Sequence, residues 1–205
     1  MLKLFNKLQD YLEVLDRVDF LGPLVLRLYL VPVMWMAGMQ KFENFDALVV
    51  WFSNSDGGLG LPFPTFVAGW ATASELGGAV CLLLGFAVRW VSIPLLFTMI
   101  GAAVTVHLKN GWLMVANSTG FFASERTVAA AERLSTANVI LQEHGNYAWL
   151  TEHGSLVILN NGVEFAITYA VMLVALMMWG AGRYISLDYW ISQKFRRYKP
   201  AYYYD

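Results

Sequence analysis

Apolar side chains fall into four long runs separated by polar stretches. The runs cover about Gly22 to Phe42, Thr65 to Phe86, Trp90 to Leu108 and Val163 to Trp179. A helix needs roughly 20 such residues to cross about 30 Å of hydrocarbon. The first three are of about that length. The last reaches it when a turn of Leu156 to Leu159 is counted before it. The pattern therefore predicts an all-α fold: a membrane four-helix bundle, up-down-up-down, with four transmembrane helices. Pro32 removes a backbone hydrogen bond and is expected to kink the first span, and Pro94 lies near the start of the third. The second span is crowded with Ala68, Gly69, Ala71, Ala73, Ser74, Gly77, Gly78 and Ala79, small residues that let helices approach closely in lipid.

Between the runs the pattern changes. Over residues 2–19, Leu4, Leu8, Tyr11, Leu12, Leu15 and Val18 recur at helical spacing among charged residues. One apolar stripe of this kind predicts an amphipathic helix on the membrane surface. It lacks the continuous apolar core and cleavage site of a secretory signal. Asn54 to Pro64 reads as a loop. Residues 109–160 form a long, mostly polar insert. Within it Ser124 is placed as an N-cap, predicting a helix over Glu125 to Glu143. The sequence E-H-G occurs twice, with Gly145 and Gly154 as expected helix or turn ends. The organisation expected is an interfacial helix at 1–20, a membrane domain at 21–190 containing the insert, and a basic, aromatic tail at 191–205.

Composition supports this class. The chain has 205 residues, enough for one domain, and 58% are hydrophobic. Its mean hydropathy is +0.50. Soluble domains are about 45–50% apolar. A net charge of −1 gives no case for nucleic acid as a partner. The single cysteine, Cys81, excludes a Cys-x-x-Cys redox pair and suits helix packing. Lys3, Lys7, Arg17, Arg89 and five basic residues from Arg183 onward outweigh those of the first loop and the insert. The positive-inside rule then places both termini in the cytoplasm and the insert outside. In a bacterium this is a multi-pass inner-membrane protein with the bilayer as its first partner.

Charges inside the runs are the candidates for chemistry, because they are costly in lipid. Judged by depth along the helices, Arg27 and Glu75 are expected to pair inside the bundle, either to fix helix register or to form a relay or polar site. Lys41, His107, Asn110 and Glu164 fall near the outer ends of three spans, joined by Gln40, Asn160 and Asn161. Such a cluster suits a quinone head group or proton transfer, histidine titrating near neutrality. It equally suits interfacial side chains that hydrogen-bond loop backbone. His107, His144 and His153 share one side and raise a copper or zinc site. No hydrolase triad, Walker loop or dinucleotide fingerprint occurs.

The order of short motifs resembles the DoxX family. They are L-R-L at Leu26 to Leu28, G-M-Q-K-F at Gly38 to Phe42, G-L-P-F-P before the second span and A-S-E-L-G-G at Ala73 to Gly78. V-H-L-K-N-G at Val106 to Gly111, N-G-V-E-F at Asn161 to Phe165 and G-R-Y-I-S-L-D at Gly182 to Asp188 follow. The insert from Ile140 to Gly162 is most similar to the HvfX-like subgroup. The resemblance implies a bacterial inner-membrane four-helix protein linked to redox assemblies. For the subgroup it implies an accessory in the biosynthesis or handling of copper-binding modified peptides. Two readings follow: that accessory, working with soluble or membrane protein partners, or the membrane subunit of a quinone-linked oxidoreductase complex. The implied cofactors are copper or quinone. Whether the chain is itself an enzyme, and whether it forms a homo-oligomer, stay open.

Overall fold

In the computed structural model, which describes residues 18–195, helix α1 runs over Leu21–Glu43. Its buried positions are Pro23, Arg27, Leu30, Met34 and Gly38. Spacings of three and four put them on one stripe, which faces the neighbouring helix. Pro32 lies within the helix, which continues past it. After Asn44, a short helix α2 covers Phe45–Ser53. Helix α3, Pro64–Leu84, begins with proline in its first turn, where the missing N–H costs nothing. It stops at Gly85, with φ of 64°. Phe86 N–H reaches Cys81 O at 2.9 Å and Gly85 N–H reaches Leu82 O at 3.2 Å. These paired bonds make a Schellman ending.

Helix α4 spans Val88–Ala102 and continues through a π-helical turn, Ala103–His107, and a 3-10 turn, Leu108–Asn110. Helix α5 is Glu125–His144, α6 is Tyr147–Leu150, α7 is Glu164–Trp179 and α8 is Leu187–Phe195. No strand occurs among the described residues; Val115 and Leu159 form an isolated antiparallel bridge. The chain divides into two compact units, the boundaries falling within α4 and α7.

In the unit made of residues up to Thr98 and from Val171, α1 and α3 lie antiparallel. Arg27, near the start of α1, meets Leu82, near the end of α3. Small residues set the approach. A Cβ on Gly38 would lie 2.8 Å from the Leu76 side chain, and one on Gly78 would lie 2.8 Å from that of Leu95. Each glycine is thus a notch for a leucine of the facing helix. In the unit Met99–Ala170, α5 starts on a reciprocal cap: Thr127 N–H donates to Ser124 Oγ at 3.3 Å and Ser124 N–H donates to Thr127 Oγ1 at 2.9 Å.

Three helices are long and apolar enough to cross a membrane: Leu21–Glu43, Pro64–Leu84 and Val88–Asn110. They match the first three expected runs closely, and the α5 helix starts where its cap predicted. The last run departs from expectation. Helix α7 has 16 residues, roughly 24 Å at about 1.5 Å per residue. Leu156 to Leu159 do not extend it, because that stretch pairs with residues 115–116 instead: Ala116 N–H donates to Ile158 O at 2.9 Å. Asn161, with φ of 59°, breaks the path into the helix. The expected surface helix at the N-terminus, up to residue 17, and the tail from residue 196 lie outside the described residues.

Candidate functional site

Glu75 is buried on α3, and its two oxygens lie 2.6 Å and 2.9 Å from Lys41 Nζ. The ammonium also contacts Ala37 O, one turn back on α1, at 3.5 Å. Side chains of a helix lean toward its N-terminus. Lys41 therefore folds back along α1 toward Glu75, which α3 holds in place. The lysine side chain is 28% exposed and the glutamate 3%, so only the cation keeps an open face. On both helices the next residue joins a groove of about 500 Å³ lined by Phe42, Phe45, Gly69, Thr72, Ala73 and Leu76.

The expected Arg27–Glu75 pair is not formed. Arg27 is fully buried, and its guanidinium donates to Leu82 O at 2.8 Å, Leu83 O at 3.4 Å, Ala181 O at 2.6 Å and Ile185 O at 3.0 Å. The same lean that brings Lys41 to Glu75 carries Arg27 away from it, toward the end of α3. Carbonyls at a helix C-terminus lack intrahelical donors and carry partial negative charge. A five-donor fork satisfies several of them at once. Estimated depth had matched the two charges; the register of α1 against α3, in which Gly38 faces Leu76, sets Glu75 beside Lys41 instead.

Two supports at this end were not foreseen. Asp188 accepts Ala87 N–H at 2.7 Å and Val88 N–H at 2.9 Å, capping α4 with a carboxylate. Arg183 meets Asp19 at 2.5 Å, and that hydrogen bond pushes the guanidinium pKa up. An acid placed among the basic residues of the tail was the available signal for Asp188.

The other expected cluster is built on two laced segments of the second unit. Backbone bonds run from Asn160, Asn161, Gly162, Val163 and Glu164 to Met114, Leu113, Gly111 and Trp112. Buried Asn160 donates to Asn110 O at 2.8 Å and Leu113 O at 2.7 Å, and accepts from Arg126 Nε at 2.9 Å. Asn161 O lies 3.0 Å from His107 Nδ1 and accepts from Asn110 Nδ2 at 3.1 Å. A carbonyl only accepts, so His107 carries its proton on Nδ1 in this bond. Glu164 Oε2 accepts Met114 N–H at 3.0 Å. His107, Asn110 and Glu164 are thus brought to one hairpin, where they satisfy its backbone. Lys41, expected beside them, belongs to the first unit and is held by Glu75. Arg126, unforeseen, completes the Asn160 node.

The three histidines do not assemble into a metal site. Among the described residues no group of three or more His, Cys, Asp or Glu is placed to hold a metal ion. His144 sits near exposed Glu143 instead, at 3.8 Å, on a helix end where no further ligand converges.

Apolar helices of spanning length, with a buried ion pair between two of them, define a helical membrane protein. Residues 22–108 match the DoxX family model. The match ends before the insert Ile140 to Gly162, on which the likeness to HvfX-like proteins rested. The chain is 35% identical over 89 residues, 43% of its length, to "Putative oxidoreductase CatD" of Bacillus subtilis (strain 168). It is 29% identical over 97 residues, 47% of its length, to "Inner membrane protein YphA" of Escherichia coli (strain K12). The chain spans 62% and 65% of those relatives, under two thirds of each. No solved structure matches significantly.

Proposed function

We propose that the chain is a DoxX protein and serves as the quinone-binding membrane subunit of an oxidoreductase assembly whose electron donor sits on a partner protein. The observation that carries this is the Lys41–Glu75 pair beside the apolar groove. Small-molecule sites measure about 300–1,000 Å³ and combine apolar walls with a few placed polar groups. The groove meets the first two, size and apolar walls, and Lys41 and Glu75 adjoin its lining residues Phe42 and Leu76 in the chain. Lys41 gives two of its N–H bonds to Glu75; the third has only the long contact to Ala37 O. A quinone carbonyl would take that third bond, and the ring and first isoprene unit would occupy the groove. Glu75 holds the ammonium in place. The oxidoreductase wording in the name of one relative agrees with this reading.

The chain is proposed to sit in a bacterial inner membrane, crossing four times with both termini in the cytoplasm. The name of the second relative and the distribution of lysine and arginine support that arrangement. A role as accessory in copper-peptide handling stands behind the quinone reading, since His107, His144 and His153 are not grouped.

The test is titration of a short-chain quinone into purified protein in nanodiscs, beside the paired variant Lys41→Met/Glu75→Gln. Replacing both members avoids an orphaned charge, so the fold should persist. A charge-assisted hydrogen bond contributes about 1.5–3 kcal/mol, so binding should weaken roughly ten- to a hundredfold. Absence of quinone binding by the unaltered protein, or equal binding by the variant, defeats the proposal.

A further inference from the structure

The residues between Lys109 and Glu125 carry no charged side chain. Near their middle Gly120, with φ of 105°, turns the chain. Phe121 follows and is 95% exposed. Its ring meets Phe122 edge-on, with centroids 5.1 Å apart at 87°. Phe122 in turn stacks on Trp112 at 4.8 Å and 18°. Trp112 packs against the buried cluster Ala103, Val163 and Ala166, which joins the end of the third candidate span to the start of α7. The three rings thus form a continuous path from the end of a membrane helix to an exposed tip. Val115 and Leu159, bridged to each other, are exposed on the same laced segments.

We infer that the turn Gly120 to Phe122 inserts into the lipid at the bilayer surface where the third span ends, and holds the insert to the membrane. Water is a poor environment for a phenylalanine presented whole on a turn. Lipid at the boundary of head groups and acyl chains suits it: tryptophan and other aromatic rings collect there, and an uncharged backbone turn meets polar head groups without penalty. Continuity with the lipid-covered end of the span through Trp112 selects the bilayer as the occupant. This inference is independent of the quinone reading.

The test uses full-length protein with Cys81→Ala in phosphatidylethanolamine–phosphatidylglycerol vesicles. A spin label is attached through Phe121→Cys, and in a second sample through Ser135→Cys on the exposed side of α5. Because Phe121 touches little, the label leaves the fold intact. At position 121, collisions with oxygen should exceed those with the water-soluble nickel reagent NiEDDA; at position 135 the order should reverse. Free collision of the 121 label with NiEDDA would place the turn in water and overturn the inference. Shielding from both reagents would mean that a second copy covers it, which overturns it equally.

Discussion

Arg27 shows how one residue can join three segments. Its four hydrogen bonds reach the end of α3 and the loop between α7 and α8. Removing the guanidinium leaves buried carbonyls without donors, each at about 1–3 kcal/mol. Arg27→Leu is therefore expected to lose roughly 3–5 kcal/mol of stability. Arg27→Lys should recover little of it, because an ammonium is a point donor and cannot fork between helix end and loop. Thermal unfolding in detergent checks this, and an Arg27→Leu midpoint equal to that of the unaltered protein would show the bonds to be idle. The Lys41–Glu75 pair should behave differently. Lys41→Met alone orphans a buried carboxylate, at about 3–5 kcal/mol. Adding Glu75→Gln should restore most of that. A double variant no more stable than the single one would mean that the pair does not share one energetic term.

At the scale of elements, the contact between α1 and α3 depends on where a side chain is absent. A Cβ on Gly38 would press on Leu76, whose backbone nitrogen lies 3.1 Å away and cannot yield. Gly38→Val is expected to cost about 1–3 kcal/mol by overpacking. Gly77, one position beyond Leu76, has nothing within 4 Å of its would-be Cβ. Gly77→Ala should therefore be neutral or gain up to about 1 kcal/mol of helix propensity. Chemical denaturation of the two variants in one detergent would expose an error if Gly77→Ala were the more damaging. Sequence carried the helices well where a local signal marks their ends. Pro64 opens α3, Gly85 closes it, and Ser124 caps α5. Helix α2 was missed because Phe45 to Ser53 is apolar almost throughout, offers no alternation of faces and was masked by the turn residues that follow. The candidate charges were legible by their depth, since a charge inside an apolar run stands out. Their partners were not: they depend on the register of antiparallel α3 against α1, in which Gly38 faces Leu76, so that Lys41 lies within reach of Glu75 and Arg27 within reach of the end of α3. His107, Asn110 and Glu164 were legible as a level but not as a hairpin, which needs backbone bonds between residues some 50 positions apart.

For the whole molecule the decisive question is whether α7 crosses the membrane. At 16 residues it is shorter than the three other candidate spans. Local thinning of the bilayer or flanking side chains at the interface can absorb a shortfall of this size, at fractions of a kcal/mol per Å. Its composition favours crossing: apart from Glu164 in the first turn, whose carboxylate is engaged by the Met114 N–H, it carries no charge. Arg183 and the basic residues after it would oppose translocation of the tail. A crossing α7 must place the insert and the C-terminus on opposite faces, whatever their absolute orientation. Reporters of compartment, one joined after Asp205 and one inserted between Ala137 and Asn138 on α5, should therefore give opposite signals, with the C-terminal one cytoplasmic. Identical signals would mean that α7 enters and leaves on one side. The chain would then cross three times, with its tail on the face of the insert. Neutralising Arg183, Lys194, Arg196, Arg197 and Lys199 together should weaken the cytoplasmic preference of the C-terminal reporter. The reporter on α5 should then change in the opposite sense only if the whole bundle inverts. A shift confined to the C-terminal reporter would show that retention of the tail is a property of α7 and its flank alone.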